Sequence, residues 1–341
     1  MNQFKDFIQN NKAFSITAFN LILLLLIIPF KDPFGFFVKS YDKAKPFFSV
    51  SKTDVSQIMV EKITDPKTKQ TLTQENGNWK VATADKQTFQ ADEEKANQLV
   101  DSILKAKKFT VVTSSKEKAT EYGFGEDGLK VEVFGKDKSS LGFLLIGSVS
   151  PKGSNTHVKW KDGNDIYLVE DNLKSVAGRG DGKYFINKKV VPTDIDMEVI
   201  EQVVLSYAKS DADGYIVLKD KGNWVMQKPK TGNIAKDDMN IVLPRLTGLN
   251  ADDVVTDKAE LDDLKTENNF QLQFSYKSKL GAPKEIKLAC IGTDKDGSHY
   301  YIQKDGDNTV YKLSDYKLKS VLEFKPEFKK EKEGEKKEED N

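Results

Sequence analysis

Two arginines, two histidines and one cysteine are all that a chain of 341 residues offers of the side chains that dominate phosphate, metal and thiol chemistry. With Arg179 and Arg245 the only guanidinium forks among 53 basic residues, bidentate recognition of phosphate or guanine is almost unavailable, and nucleic-acid binding is disfavoured. The 53 acidic residues cancel that charge and remove any bulk attraction to polyanions or acidic lipid. Cys290, in Leu288-Ala289-Cys290-Ile291, reads as a small buried thiol and cannot form an intramolecular disulfide. A zinc site would draw most of its ligands from carboxylates, because His157 and His299 are the only imidazoles. Neither histidine has a nucleophile pattern such as Gly-x-Ser-x-Gly beside it. No catalytic, cofactor-binding or metal-ligating residue stands out, and the chain reads as non-enzymatic.

What is present is a balance of 38% hydrophobic and 31% charged residues, enough for two ordinary domains. Ahead of them, Ala13 to Phe30 carries no charge and centres on Leu21-Ile22-Leu23-Leu24-Leu25-Leu26-Ile27-Ile28. As a helix this run reaches about 27 Å, close to a hydrocarbon core of about 30 Å. A cleaved signal would want small residues where Pro29-Phe30-Lys31-Asp32 follow, and a core helix would show polar residues at helical spacing. An uncleaved membrane anchor is the expectation. Phe34, Phe36, Phe37, Phe47 and Phe48, interleaved with Lys39, Lys43 and Lys45, fit either an interfacial collar or aromatics packed on the first domain. Lysine counts on the two sides of the run do not fix orientation, because long domains translocate largely regardless of charge.

The chain repeats itself at a spacing of 143 to 145 residues. Gly77-Asn78-Trp79 recurs as Gly222-Asn223-Trp224, Leu99, Val100 and Ile103 as Val242, Leu243 and Leu246, and Val111-Val112-Thr113 as Val254-Val255-Thr256. Ile146-Gly147 recurs as Ile291-Gly292, Lys161-Asp162-Gly163 as Lys304-Asp305-Gly306, and Tyr167 as Tyr311. Each copy predicts alternating strands, a turn at Asn76-Gly77 in the first, and a helix near Asp92 to Lys107 with acids in its first turn and lysines in its last. Pro244 should shorten or kink the second helix. The fold class is α+β: residues 1–12 a short N-terminal segment, 13–30 the membrane helix, 31–50 a juxtamembrane linker, 51–178 and 195–324 two mostly antiparallel repeats. Gly178 to Gly182 reads as a flexible turn within a linker at 179–194, and 325–341 as a solvated charged tail.

Other motifs weigh toward structure. Gly123-Phe124-Gly125-Glu126-Asp127-Gly128 fits Gly-x-Gly-x-x-Gly, but an alternating strand follows where a dinucleotide site needs a helix, so no cofactor is inferred. Arg179-Gly180-Asp181 matches an adhesion tripeptide in ordinary turn residues. Asp294-Lys295-Asp296-Gly297 lacks the acids of an EF-hand and reads as a hairpin turn. Trp79 and Trp224 read as core anchors, and the two histidines as near-equivalent positions with a shared structural role.

The Gly-Asn-Trp strand, the helix carrying Leu99, Val100 and Ile103, Tyr122-Gly123-Phe124, Ile146-Gly147, His157-Val158 and Ile166-Tyr167-Leu168-Val169 resemble a bacterial family, domain of unknown function 4340. The resemblance covers residues 50 to 190 well and the second copy more loosely, where Asp263-Leu264-Lys265 replaces the Tyr-Gly turn. It implies a single-pass protein of the bacterial cytoplasmic (inner) membrane with its bulk extracytoplasmic (periplasmic), often associated with ABC-type export systems resembling those of gliding motility. The expected role is accessory or scaffold subunit of an ABC-type transporter, held in the membrane by residues 13–30. The alternatives are a surface adhesin or ligand-binding envelope protein using the Arg179 loop, and an envelope hydrolase with an unrecognised carboxylate site.

Overall fold

Strict alternation in Leu129-Lys130-Val131-Glu132-Val133 sends leucine and both valines into the core and the charged pair outward, the period-two signature of a sheet with one buried face. The computed structural model describes Ala44–Phe328 apart from Lys152, Thr193, Asp211, Ala212 and Asn268, together with Ile16, Thr17, Asn20 and Leu23. Its first sheet contains β1 (Val55–Lys62), β2 (Gln70–Glu75), β3 (Asn78–Thr83), β4 (Thr88–Gln90), β5 (Thr110–Thr113), β6 (Leu129–Gly135), β7 (Ser140–Val149), β8 (Thr156–Trp160) and β9 (Ile166–Val169). The second contains β10 (Ile200–Tyr207), β11 (Tyr215–Asp220), β12 (Asn223–Lys228), β13 (Gly232–Asn233), β14 (Asp253–Val254), β15 (Phe270–Lys277), β16 (Pro283–Thr293), β17 (His299–Lys304) and β18 (Val310–Ser314).

The strand orders are β4-β3-β2-β1-β6-β7-β8-β9-β5 and β13-β12-β11-β10-β15-β16-β17-β18-β14. Adding nine to each strand number of the first gives the second. The duplication read from short matches is therefore a duplication of topology, in two mostly antiparallel sheets. The hairpins keep their turns too: Asn76 and Gly77 both have positive φ, as do Lys221 and Gly222, the left-handed pair that a two-residue turn needs.

The helices α1 (Glu93–Lys105), α2 (Leu173–Val176), α3 (Lys236–Thr247) and α4 (Asp315–Leu322) accompany the sheets. Asp92 caps α1 by accepting the Lys95 N–H at 3.2 Å, and Ala96, Leu99, Val100 and Ile103 are fully buried along one stripe. The helix α3 buries Met239, Val242, Leu243 and Leu246 and continues through Pro244 for 12 residues against 13 in α1, so the expected shortening is slight. After the last strand of each sheet, Leu173 and Val176 on α2 recur as buried Leu318 and Val321 on α4.

Compactness does not follow the repeat boundaries. The described residues up to Asp65 with Gln98–Gly180 form one unit, and Pro66–Asn97 with the described residues from Asp181 onward form the other. The stretch expected to be a linker explains this. Gln70, 1% exposed, donates from Nε2 to the Asp181 carbonyl at 2.7 Å and accepts the Phe185 N–H at 3.0 Å. Asp92 N donates to Phe185 O, Asn187 N to Gln90 O, and Phe185 is fully buried. Residues 181 to 190 are thus core-forming chain and no flexible spacer.

Other boundaries move as well. Phe47 and Phe48 are buried with ring centroids 5.9 and 4.9 Å from that of Trp160, the first tilted and the second edge-on, and Phe47 N donates to Ala106 O; for these two, packing on the domain replaces the collar reading. Phe34, Phe36, Phe37, Lys39 and Lys43 lie outside the described residues, as does most of 13–30. Among the described residues no helix is long and apolar enough to cross a membrane. Phe328, read as tail, pairs with Ile234 and covers Gly232, while 329–341 lie outside the described residues.

Candidate functional site

Of the residues behind the family resemblance, Tyr122-Gly123, Gly147 and His157 come together in the first unit, whereas Gly77-Asn78-Trp79 belongs to the second. Gly147 lets the turn at Tyr122-Gly123 lie directly on β7: a Cβ there would fall 2.2 Å from the Tyr122 carbonyl, which instead accepts the Ser148 N–H at 2.7 Å. The Tyr122 ring lies 4.8 Å from that of His157, whose Nδ1 is 3.1 Å from Ser148 Oγ and 3.0 Å from Ser148 O. Tyr122, Ser148 and His157 are all half-buried. This is a clamp that fastens a loop to a strand.

The second unit rebuilds the clamp with other chemistry. Asp263-Leu264-Lys265 occupies the turn, Lys265 and Thr293 exchange two backbone hydrogen bonds of 2.9 Å, and Gly292 gives room to Leu264. By register His157 faces Leu168 as Tyr301 faces Lys312, so His157 corresponds to Tyr301 and not to His299. The expected equivalence of the histidines fails by two residues. His299 has its own role, its Nδ1 lying 2.8 Å from Asp294 Oδ2 within the β16–β17 hairpin turn. Burial opposes charge on Asp294, but the His299 N–H, the His299 ring and Ser298 outweigh it and hold the carboxyl down to about 2.

Other flagged residues sort as expected or more simply. Gly123 to Gly128 is a turn entering β6, and Trp79 and Trp224 are buried at 2% and 5%. Arg179 is exposed with φ 53°, Gly180 packs on the Lys62 side chain, and the Asp181 carboxylate accepts the Lys183 N–H at 2.9 Å, so the tripeptide is a shaped turn. Cys290 is buried, donates to Gly292 O at 3.4 Å, and burial pushes its thiol up to about 11.

Two features were not legible beforehand. One is a cleft of about 490 Å³ in the second unit, where Tyr207 and Tyr300 meet Asp213, Glu267, Asp315 and Glu323 with Lys209 and Lys319 nearby. Burial raises the phenol pKa of both tyrosines, helped by neighbouring anions, so each stays a hydrogen-bond donor. Among the described residues no group of three or more His, Cys, Asp or Glu is placed to hold a metal ion.

The other is the edge of the first sheet. The strand β5 is the last in its order and among the described residues is paired with β9 alone, while Pro46 bridges Lys107 just before it; a bulge between Val111 and Thr113 lets consecutive valines face solvent. Val111 and Val112 are 49% and 37% exposed, whereas their counterparts Val254 and Val255 are 0% and 8% exposed. In the second copy Leu261 and Leu264 pack against the cluster of Val255, Tyr301 and Val310; the positions 143 residues earlier are Lys118 and Glu121. Lys118 and Glu121 do not bury the valine pair as the leucines do, and among the described residues the first edge stays open.

No curated protein matches the chain. A solved structure from Bacteroides fragilis, provisionally named an outer membrane protein, is similar at 9% identity over 77% of this chain and 96% of its own, with a TM-score of 0.11, too low to carry an argument. The family model described as Domain of unknown function (DUF4340) matches residues 79–269, beginning later than the resemblance at 50 to 190 and reaching well into the second copy. That match takes in the Tyr122 clamp, the open β5 edge and the start of the repeated fold, and it spans more than half of the sequence: the chain belongs to the DUF4340 family.

Proposed function

We propose that this protein is a non-catalytic scaffold, held in the cytoplasmic membrane by residues 13–30 with its two sheets outside, that serves an ABC-type transport system. The observation carrying this reading is the open β5 edge. An edge strand with no charge within it and lined by exposed valines is a surface that takes up another strand, whereas the sister sheet, whose β14 is also an edge, buries the corresponding valines. The uncharged run of 18 residues supports the anchor, and the family resemblance supports the transport partner.

The test is photo-crosslinking from positions beside β5 in whole cells, followed by purification in mild detergent. Recovery of a transporter membrane component is expected. Its consistent absence would remove the transport role. The hydrolase reading draws support from the four carboxylates of the Tyr207 cleft. Purified protein that leaves envelope glycans and peptides uncleaved would end it.

A further inference from the structure

We infer that the β5 edge receives an extended partner segment with uncharged, β-branched residues at its centre and acidic residues at both ends, adding a tenth strand to the first sheet. The inference rests on the scaffold reading and names the chemistry of its contact. The central requirement comes from the edge itself. From Phe109 to Ser115 there is no charge and no proline, the usual guards of an edge strand. Backbone groups along such an edge are met by another extended chain, and across a strand pair Val111 and Val112 are covered best by β-branched neighbours; in the second copy apolar cover comes instead from Leu261 and Leu264.

The acidic ends follow from the flanks. Lys107 and Lys108 precede the strand, and Lys116 and Lys118 follow it against a single Glu117. A second copy of this chain is the competing occupant, because Thr110-Val111-Val112-Thr113 reads the same in both directions and could pair with itself about a two-fold axis. That pairing, continued past the strand ends, brings Lys107 toward Lys116 of the other copy, where a 3-10 turn carrying Lys116 and Lys118 begins. Like charges facing each other across strands oppose pairing. Charge complementarity therefore selects a different chain carrying Asp or Glu at those ends.

The test uses the full-length protein in mild detergent at low ionic strength and two fluorescein-labelled peptides, Glu-Asp-Ser-Thr-Val-Val-Thr-Ser-Asp-Glu and the same sequence with lysine replacing each acid. Fluorescence anisotropy should show the acidic peptide binding at least tenfold more tightly than the basic one. Val112→Lys, at an exposed position where the fold survives, should weaken it at least tenfold, and Lys116→Glu with Lys118→Glu should shift preference toward the basic peptide. Binding of both peptides equally, or of neither, overturns the inference. So does sedimentation showing dimers that Val112→Lys dissolves, since the occupant is then a second copy. Peptide binding without any transporter component in the cell experiment leaves the edge site standing and removes only the transport role. A transporter recovered equally by wild type and Val112→Lys removes the edge site alone.

Discussion

Replacing Gln70 tests whether the stretch after Asp181 is core rather than linker. Its amide makes two bonds of unequal consequence: Nε2 to the carbonyl of Asp181, an exposed residue that water can reach, and Oε1 to the N–H of Phe185, which is fully buried. In Gln70→Met the Phe185 N–H is orphaned without access to water, at a cost of about 1–3 kcal/mol. Gln70→Glu adds a pH signature. Protonated, the new carboxyl can donate to Asp181 O and accept from Phe185 N; ionised, it sets an anionic oxygen against a carbonyl in a buried site.

Its folded pKa must then rise above the unfolded value of about 4.3, so the folded state binds the extra proton. Stability relative to wild type is nearly intact below about pH 4 and falls by up to about 1.4 kcal/mol per pH unit as pH rises toward the folded pKa. Urea titrations followed by tryptophan fluorescence at pH 4, 5, 6 and 7 measure this, with hydrogen exchange of 181–187 as the local readout. A Gln70→Glu minus wild-type difference that stays flat across those pH values would refute the reasoning, as would Gln70→Met within about 0.5 kcal/mol of wild type.

The two clamps predict unequal glycine costs: Gly147→Ala meets the Tyr122 carbonyl at 2.2 Å and should lose about 1–3 kcal/mol, whereas Gly292→Ala meets Leu264 Cβ at 2.7 Å and the Lys265 carbonyl at 3.1 Å, a less severe approach, and should lose less, both read by thermal melts. Asp294, whose folded pKa lies below its usual 3.8, contributes stability above about pH 4 that disappears as pH falls toward 2. Asp294→Asn should therefore cost about 1 kcal/mol at pH 7, after allowance for solvent screening, and nothing measurable near pH 2. Cys290 should resist iodoacetamide at pH 8 in the native protein and react fully in urea, as mass spectrometry would show; prompt native labelling would contradict its burial.

Strands with clean alternation, such as β6 and β15, were legible because one sheet face is buried and the other wet. Four were not. The strand β2, Gln-Thr-Leu-Thr-Gln-Glu, buries Gln70 and Leu72, and a glutamine's burial depends on partners over a hundred residues away. The strand β10 has the bulge and burial pattern of β1 but hides its period in three consecutive apolar residues, Val203, Val204 and Leu205, of which the middle one faces outward. β4 and β13, of three and two residues, are too short for any period. The clamp at Tyr122 was visible as a motif but not as a contact, because only the fold brings Gly147 and His157 to it. The open edge was half visible: the matching valine pairs stood out, but their opposite burial depends on Leu261 and Leu264 against Lys118 and Glu121.

That contrast separates what the fold demands from what it permits. The copies share strand order, turn conformation, the glycine beneath each clamp and the buried pair after the last strand, so these answer to folding alone. At β5 and β14 they part. The second copy shows that this topology can shorten the edge strand to two residues, bury both valines, and engage Asp253 with Lys183 at 2.8 Å. A solution available to one copy and absent from the other is no architectural necessity. An exposed uncharged edge invites unwanted pairing and carries a standing cost in aggregation. The first copy's edge is therefore where the strand addition proposed above would act, and the second copy, with both valines buried, is the internal control for it.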